Sequence, residues 1–296
     1  MKRLTSVQVV AVAVVAFLAT PDAIAQSEKI SVRMAPRPNQ TVRQSSAIEM
    51  DFDMSLDGAA AAPAVRPMKM AMRMTMGMML KTGALKPDGT LDAALTYDQF
   101  RVEMSINGQT MPADASSLLA GRTVVMTYNR NGEIVGVQGL EAAGLTNDAF
   151  RQMMGSFFGD LPVTALAVGE TTTGPLNFML PLPLGGSAPM KLVGQTQLKL
   201  VSIDKDERGR SATFESTTAG NMMSDLASPD GKGKMSFDLN LGGQGTYVLN
   251  LETGIMRSNI ATFSVNGKLN GPGSAGSPAL AGMTMRGTMR MTMTGD

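Results

Sequence analysis

Methionine is the residue whose number and spacing in this sequence could support chemistry. The chain has 27 methionines and no histidine or cysteine. Every even position from 68 to 78 is methionine, and five more alternate between 283 and 293. The thioether is flexible and polarisable, which suits an apolar binding surface, and it is also a ligand for soft metal ions such as Cu(I). The sequence therefore offers two chemistries, apolar binding and soft-metal binding.

The absence of histidine and cysteine from the sequence excludes most common active sites. A Ser-His-Asp triad, a cysteine nucleophile, a histidine base and the usual zinc, haem or iron–sulfur ligand sets all need one of these residues. Glu49, Asp51 and Asp53 alternate along one predicted strand, and a solvated strand face is the simpler interpretation than a catalytic carboxylate pair. We therefore expect a non-enzymatic protein with no cofactor.

The overall charge and the aromatic content argue against a nucleic-acid partner. The formal net charge is +1, only 17% of the residues are charged, and aromatic residues make up 4% with no tryptophan. A nucleic-acid site usually needs a strong basic patch or aromatic side chains that stack on bases. The sequence identifies no protein partner either, so a lipid or another apolar small molecule is the partner that it favours.

The first 25 residues have the three parts of a signal peptide. Lys2 and Arg3 form a basic start, residues 9–18 are apolar, and Ala23-Ile24-Ala25 matches a cleavage site between small residues. The apolar run is too short for a membrane-spanning helix, and we expect no transmembrane segment in the mature protein. The sequence therefore predicts an exported protein, periplasmic or secreted.

The methionines alternate with other residues at a period of two, which predicts β-strands with one apolar face. Three such strands are predicted, at 47–56, 68–80 and 283–293, and the outer residues are acidic in the first and basic in the other two. We take the apolar residues of the three strands as candidate ligand-binding residues: Met50, Phe52, Met54, Met68, Met70, Met72, Met74, Met76, Met78, Met283, Met285, Met289, Met291 and Met293.

The rest of the chain predicts a fold that is mainly β, with minor α. After a flexible N-terminal arm at 26–40, residues 41–296 are expected to form a single domain made of two related halves, about 41–160 and 161–296. A weak repeat supports the two halves, since Pro-Met-Lys-Met at 67–70 has a counterpart in Pro-Met-Lys-Leu at 189–192. The expected architecture is a large bent antiparallel sheet or half-barrel covered by one or two helices, of which 146–158 has the clearest helical spacing.

Two motifs of the second half resemble those of a family of uncharacterised exported bacterial β-rich proteins. The first motif consists of Leu161, Pro162, Leu166, Val168, Gly169 and Glu170, and the second of Gly245, Tyr247, Leu249, Leu251, Thr253 and Gly254. This resemblance implies no activity. The architecture also looks like that of the periplasmic lipoprotein-carrier half-barrels, in which a bent sheet surrounds an apolar cavity.

Three interpretations of the methionine-rich strands remain open. The first is a concave sheet face that binds an apolar or lipid-like ligand, and the alternative is a site for Cu(I) or Ag(I). Along one strand, residues i and i+2 are about 6.6–6.8 Å apart, too far for two thioethers to share an ion without help from a neighbouring strand. The third interpretation is that the methionines fill a core, in a protein that acts as an envelope scaffold.

Overall fold

The protein is described here from a computed structural model, which covers residues 28–32, 35–56, 67–111, 120–139, 164–180, 190–227, 234–270 and 283–295. Within these ranges the fold is mainly β, as predicted, and no helix is present. The same ranges accordingly contain no helix long and apolar enough to cross a membrane. The predicted helix at 146–158 lies outside the described residues.

The described chain contains fourteen strands, several of them unusually long. In chain order they are β1 (Ile30–Ser31), β2 (Thr41–Leu56), β3 (Met68–Thr82), β4 (Leu91–Ile106), β5 (Gln109–Met111), β6 (Thr123–Tyr128), β7 (Ile134–Gln138), β8 (Ala165–Leu166), β9 (Thr171–Leu180), β10 (Met190–Asp206), β11 (Gly209–Ala227), β12 (Lys234–Asn250), β13 (Met256–Asn270) and β14 (Met283–Gly295).

Twelve of these strands form one large antiparallel sheet. Its order is β7-β6-β4-β3-β2-β14-β13-β12-β11-β10-β9, with β5 paired to β4, and β7 and β9 are the two edges. Almost every pair joins strands that are consecutive in the described chain. The exceptions are β4–β6, which skips the short β5, and β14–β2, which joins two meanders, β2 to β7 and β9 to β14. The predicted division into halves at residues 160 and 161 stays a prediction.

Oppositely charged side chains of neighbouring strands pair on the outer face at the centre of the sheet. Glu49 of β2 lies opposite Arg73 of β3 and forms an ion pair with it at 3.2 Å, while Asp53 and Lys69 approach to 4.0 Å. All four side chains are largely exposed, so each pair contributes at most about 1 kcal/mol. Their main effect is to favour the correct register of β2 and β3, because a shift of one residue would turn the methionines of β3 to the outer face.

Three β-bulges or register shifts in the sheet lie on one row that crosses the strands. They occur at Gly77/Met78, Val248/Leu249 and Leu200/Ser202. Successive partners lead from the first to the last through β2, β14, β13 and β11: Gly77, Ser45, Thr294, Ser258, Val248, Thr213 and Ser202. Since a bulge bends its strand and increases the local twist, this row is a common line of bending, and we call it the bulge row.

A small separate sheet covers part of the large one at the bulge row. β1 pairs with β8 through Ile30 and Leu166. Val32 and Leu166 are buried in one cluster with Leu200, Phe214 and other residues of β10 to β14. Part of the predicted flexible arm at 26–40 is therefore held against the sheet. The strand pairing of β1 and the burial of Val32 hold it there, although the polar sequence of the arm did not suggest either contact.

Two stretches of the second half form strands despite residues that usually interrupt them. Residues 161–183 are rich in proline, threonine and glycine, which is typical of a connector, but the described part of this range contains β8 and the edge strand β9. Pro175 is tolerated there because β9 pairs with β10 alone, and an edge strand has one set of backbone groups unpaired. The glycine pair Gly242-Gly243 likewise lies within one continuous strand, β12.

Candidate apolar binding face

All fourteen candidate residues lie on one face of three adjacent strands, β3, β2 and β14. The even residues of β3 face the even residues of β2, and these face the odd residues of β14, as in the rows Met72–Met50–Met289 and Met68–Met54–Met285. We call this the inner face, because its residues also form the buried clusters of the sheet. The structure therefore brings the candidate residues of β2 and β3 next to those of β14, which are more than 200 residues away in the sequence.

On β2 and β14 the burial of the inner face is lowest in the centre, whereas on β3 every methionine from Met68 to Met78 is half-buried. Met50, Met72, Met74, Met289 and Met291 are only half-buried. Towards one end of the strands Met54, Met283 and Met285 are buried, with 5–8% of their surface exposed. Towards the other end Met293 of β14, Leu80 of β3 and Val42 of β2 are also buried. The half-buried methionines are thus an apolar zone that lies between two buried ends on β2 and β14 and continues to Met68 on β3.

The strand β4 extends this zone by one strand that the candidate list missed. Phe100, Val102, Met104 and Ile106 lie on the inner face opposite Met76, Met74, Met72 and Met70. These residues were detectable from their own period of two, which the richer methionine strands obscured. Phe100, Met104 and Ile106 are half-buried and Val102 is buried, so the half-buried zone of the described chain is four strands wide, from β4 to β14.

Four methionines lie side by side in one row of the half-buried zone. Met104 of β4, Met72 of β3, Met50 of β2 and Met289 of β14 are successive cross-strand partners, and we call them the methionine row. In the next row Ile48 separates Met74 from Met291. The methionine row thus differs from its neighbour in having four adjacent thioethers.

Glycine replaces larger residues on the inner face of the strands beside the zone. The inner positions of β12 to β14 include Gly243, Gly245, Gly267 and Gly287. The ring of Phe263 covers Gly243, with its Cγ 2.8 Å from where a Cβ would lie, and the ring of Phe52 covers Gly287. Aromatic rings over strand glycines help to fix the register of neighbouring strands. Glycine at these positions lets the neighbouring backbone and rings approach closely.

The inner face of the central strands is free of charge. In the described strands β2, β3 and β14 every charged residue is on the outer face: Arg43, Glu49, Asp51, Asp53, Lys69, Arg73, Lys81, Arg286 and Arg290. Ser46 is a buried polar residue of the inner face. Within the described residues no cluster of acidic side chains that could hold a metal was found. The chemistry of the face is therefore that of hydrocarbon and thioether.

The inner face of β11 and β12 contains a closed aromatic core directly beside the bulge row. Phe214 of β11 and Tyr247 of β12 stack with their ring centroids 4.7 Å apart, and Phe214 has no exposed surface. The Tyr247 hydroxyl is buried and has no hydrogen-bond partner in the structure. An unpaired buried hydroxyl costs roughly 1–3 kcal/mol, which indicates that packing dominates here.

Alkaline pH is expected to unfold the protein through its tyrosines. The sequence has three tyrosines, all buried, and burial raises the pKa of Tyr97 from 10.0 to about 12 and also raises the pKa of Tyr128 and Tyr247. A raised folded-state pKa stabilises the fold fully below pH 10, and the stabilisation is lost as the pH rises. For Tyr97 the loss is about 3 kcal/mol between pH 10 and 12.

The measurement is tyrosinate absorbance followed together with circular dichroism during an alkaline titration. We expect both signals to change in one cooperative step, because the phenols ionise only when the sheet opens. A Tyr97→Phe variant should move that step to higher pH. Tyrosinate absorbance that rises near pH 10 while the dichroism stays native would contradict the burial of these side chains.

Comparison with known proteins adds little to this description. No protein-family model and no curated protein matches the sequence. Among solved structures, OpdQ of Pseudomonas aeruginosa matches with 7% identity over 87% of this chain and 99% of that chain, at a TM-score of 0.19. A likeness at this TM-score supports no conclusion about fold or function. The resemblance to uncharacterised exported proteins therefore stays a prediction.

Proposed function

We propose that the protein binds an apolar, acyl-chain-like ligand on the half-buried methionine zone of its inner face. The observation that carries this proposal is the burial pattern, in which uncharged, half-buried methionines lie between two buried ends. A core that only fills space would be expected to be buried most deeply in its centre. Methionine also adapts to ligands of different shape because its side chain is unbranched and flexible.

The size of the zone fits one extended acyl chain. On β3 the half-buried residues run from Met68 to Met78, and ten residues of strand are roughly 33 Å long. One leaflet of a bilayer core is about 15 Å thick, so an acyl chain fits along the strand with room to spare. Since the charges of β2, β3 and β14 are all on the outer face, the polar headgroup of the ligand would stay in solvent.

An exported location agrees with this function. The basic and apolar parts of residues 1–25 support export to the periplasm or the medium, where lipids must be shielded from water during transfer. Binding without catalysis is consistent with a face of thioether and hydrocarbon groups. The proposal is therefore an exported carrier or sensor of apolar molecules rather than an enzyme.

Adding monooleoylglycerol to the delipidated mature protein is expected to raise its thermal stability. At a ligand concentration of 100 times the Kd the gain is about 2.7 kcal/mol. Replacing half-buried Met74 by glutamine should weaken binding roughly ten- to hundredfold, since the ligand must then desolvate an amide at a cost of about 1–3 kcal/mol. Fluorescence titration with a labelled monoacylglycerol measures the affinity.

The matched control is Thr75→Gln, which places the same side chain on the neighbouring residue of β3. Thr75 faces the outer side of the sheet, opposite Ala47, and its replacement should leave the affinity unchanged. Equal affinities for Met74→Gln and Thr75→Gln would exclude the inner face as the binding surface. A wild-type protein that monooleoylglycerol does not stabilise would overturn the proposed function for neutral acyl lipids.

A further inference from the structure

We propose that the methionine row, formed by Met104, Met72, Met50 and Met289, is a binding site for one soft monovalent cation, Cu(I) or its analogue Ag(I). This inference is independent of the proposed ligand, because it depends on the sulfur atoms and not on the apolar character of the face. It begins from the register of the strands, which makes these four residues successive partners across β4, β3, β2 and β14.

The register removes the geometric difficulty that a single methionine-rich strand presents. Residues i and i+2 of one strand are about 6.6–6.8 Å apart, whereas directly opposite residues of paired antiparallel strands have Cβ atoms only about 4.5–5.5 Å apart. Three adjacent methionines of the row can therefore turn their flexible side chains towards one ion. Met72 and Met50 are the central pair and belong to either set of three.

The chemistry of the row selects the metal. Thioethers prefer soft Cu(I), while hard divalent cations need oxygen ligands. The surrounding inner face has no charge on β2, β3 and β14, so a monovalent ion is less costly to hold there than a divalent one. All four residues are half-buried, which leaves a path for the ion from solvent.

A second set of adjacent methionines differs in access. Met68, Met54 and Met285 are also successive partners, but Met54 and Met285 have only 7% and 5% of their surface exposed. An ion would have to displace the core to reach them. The geometry thus favours the methionine row over this buried set.

The test is titration of the mature protein with Ag(I), read by native mass spectrometry and by competition with a chromogenic chelator. The wild type should bind one ion, and the double variant Met50→Leu/Met72→Leu should bind it at least about tenfold more weakly, because each set of three then keeps a single thioether, from Met104 or Met289. Leucine conserves volume and costs less than about 1.5 kcal/mol per site, so circular dichroism should be unchanged. Stabilisation of the wild type by monooleoylglycerol is measured separately, so that failure of silver binding and failure of lipid binding can be told apart.

The matched control is Met74→Leu/Met291→Leu, which removes two half-buried methionines that Ile48 keeps apart. Its affinity for Ag(I) should stay close to that of the wild type. Equal losses in the two double variants, or no silver bound by the wild type, would overturn the site. X-ray absorption of the Cu(I)-loaded wild type gives an answer that needs no variant: three sulfur neighbours support the site, and a shell of oxygen or nitrogen rejects it.

Discussion

Replacing Gly267 by alanine is expected to destabilise the protein by about 3 kcal/mol or more, at the upper end of overpacking costs. Gly267 of β13 lies opposite Leu239 of β12. An added Cβ would meet the Asp238 carbonyl oxygen and come within 2.7 Å of the Leu239 Cα. Both are backbone atoms, so the clash is relieved only by separating two central strands. Chemical denaturation followed by circular dichroism measures the free energy of unfolding.

Gly242→Ala is the matched control, since Gly242 is a glycine of the neighbouring strand with room for a methyl group. The nearest atom to its added Cβ is the Ser264 Oγ at 3.8 Å. Alanine loses less backbone entropy than glycine on folding, so this change should stabilise by up to about 0.5–1 kcal/mol. If both variants behave alike, the close approach of β12 and β13 at Gly267 is not real.

Replacing Phe214 by alanine should cost about 3–5 kcal/mol, the usual range for a fully buried phenylalanine. Phe214 has no exposed surface, and it stacks on Tyr247. Removing its ring leaves a cavity under the small sheet formed by β1 and β8. Thermal and chemical denaturation of the variant measure the loss.

Phe100→Ala is the comparison variant, because Phe100 lies in the same cross-strand row as Phe214, towards the opposite edge of the sheet. Successive partners connect the two residues across the sheet: Phe100, Met76, Ser46, Met293, Asn259, Tyr247 and Phe214. Phe100 is half-buried, so its truncation should cost about half as much as that of Phe214. An equal or larger cost at Phe100 would mean that the methionine zone is packed as densely as the aromatic core.

The faces of the sheet were predictable because a strand has a period of two. The methionines from Met68 to Met78 alternate with residues that include Lys69 and Arg73. In a strand with one buried face, the methionines must therefore lie on that face and the charged residues on the exposed one. The pairing of acidic and basic strands was predictable for the same reason, and the ion pair of Glu49 with Arg73 confirms it. These features depend on local pattern and on nearest neighbours.

The methionine row and the bulge row could not be predicted, because both depend on register between strands. A sequence shows that Met104 and Met289 alternate with polar residues, but not that each is opposite a methionine of the next strand. The edge strand β9 was missed because Pro175 and the threonines around it are typical of a connector. An edge position tolerates them, and edge positions follow from topology.

The position of β14 has a consequence for the order in which the protein folds. Each meander is built from hairpins that form locally, but Gln44 to Leu56 find their second neighbour only in Met283 to Gly295. Contacts of such large sequence separation form slowly. Until β14 has been synthesised, β2 has an unpaired edge and the two meanders have no fixed relation. The hairpins of each meander can therefore form early, whereas the twelve-stranded sheet is completed only by the distant pairing of β2 with β14.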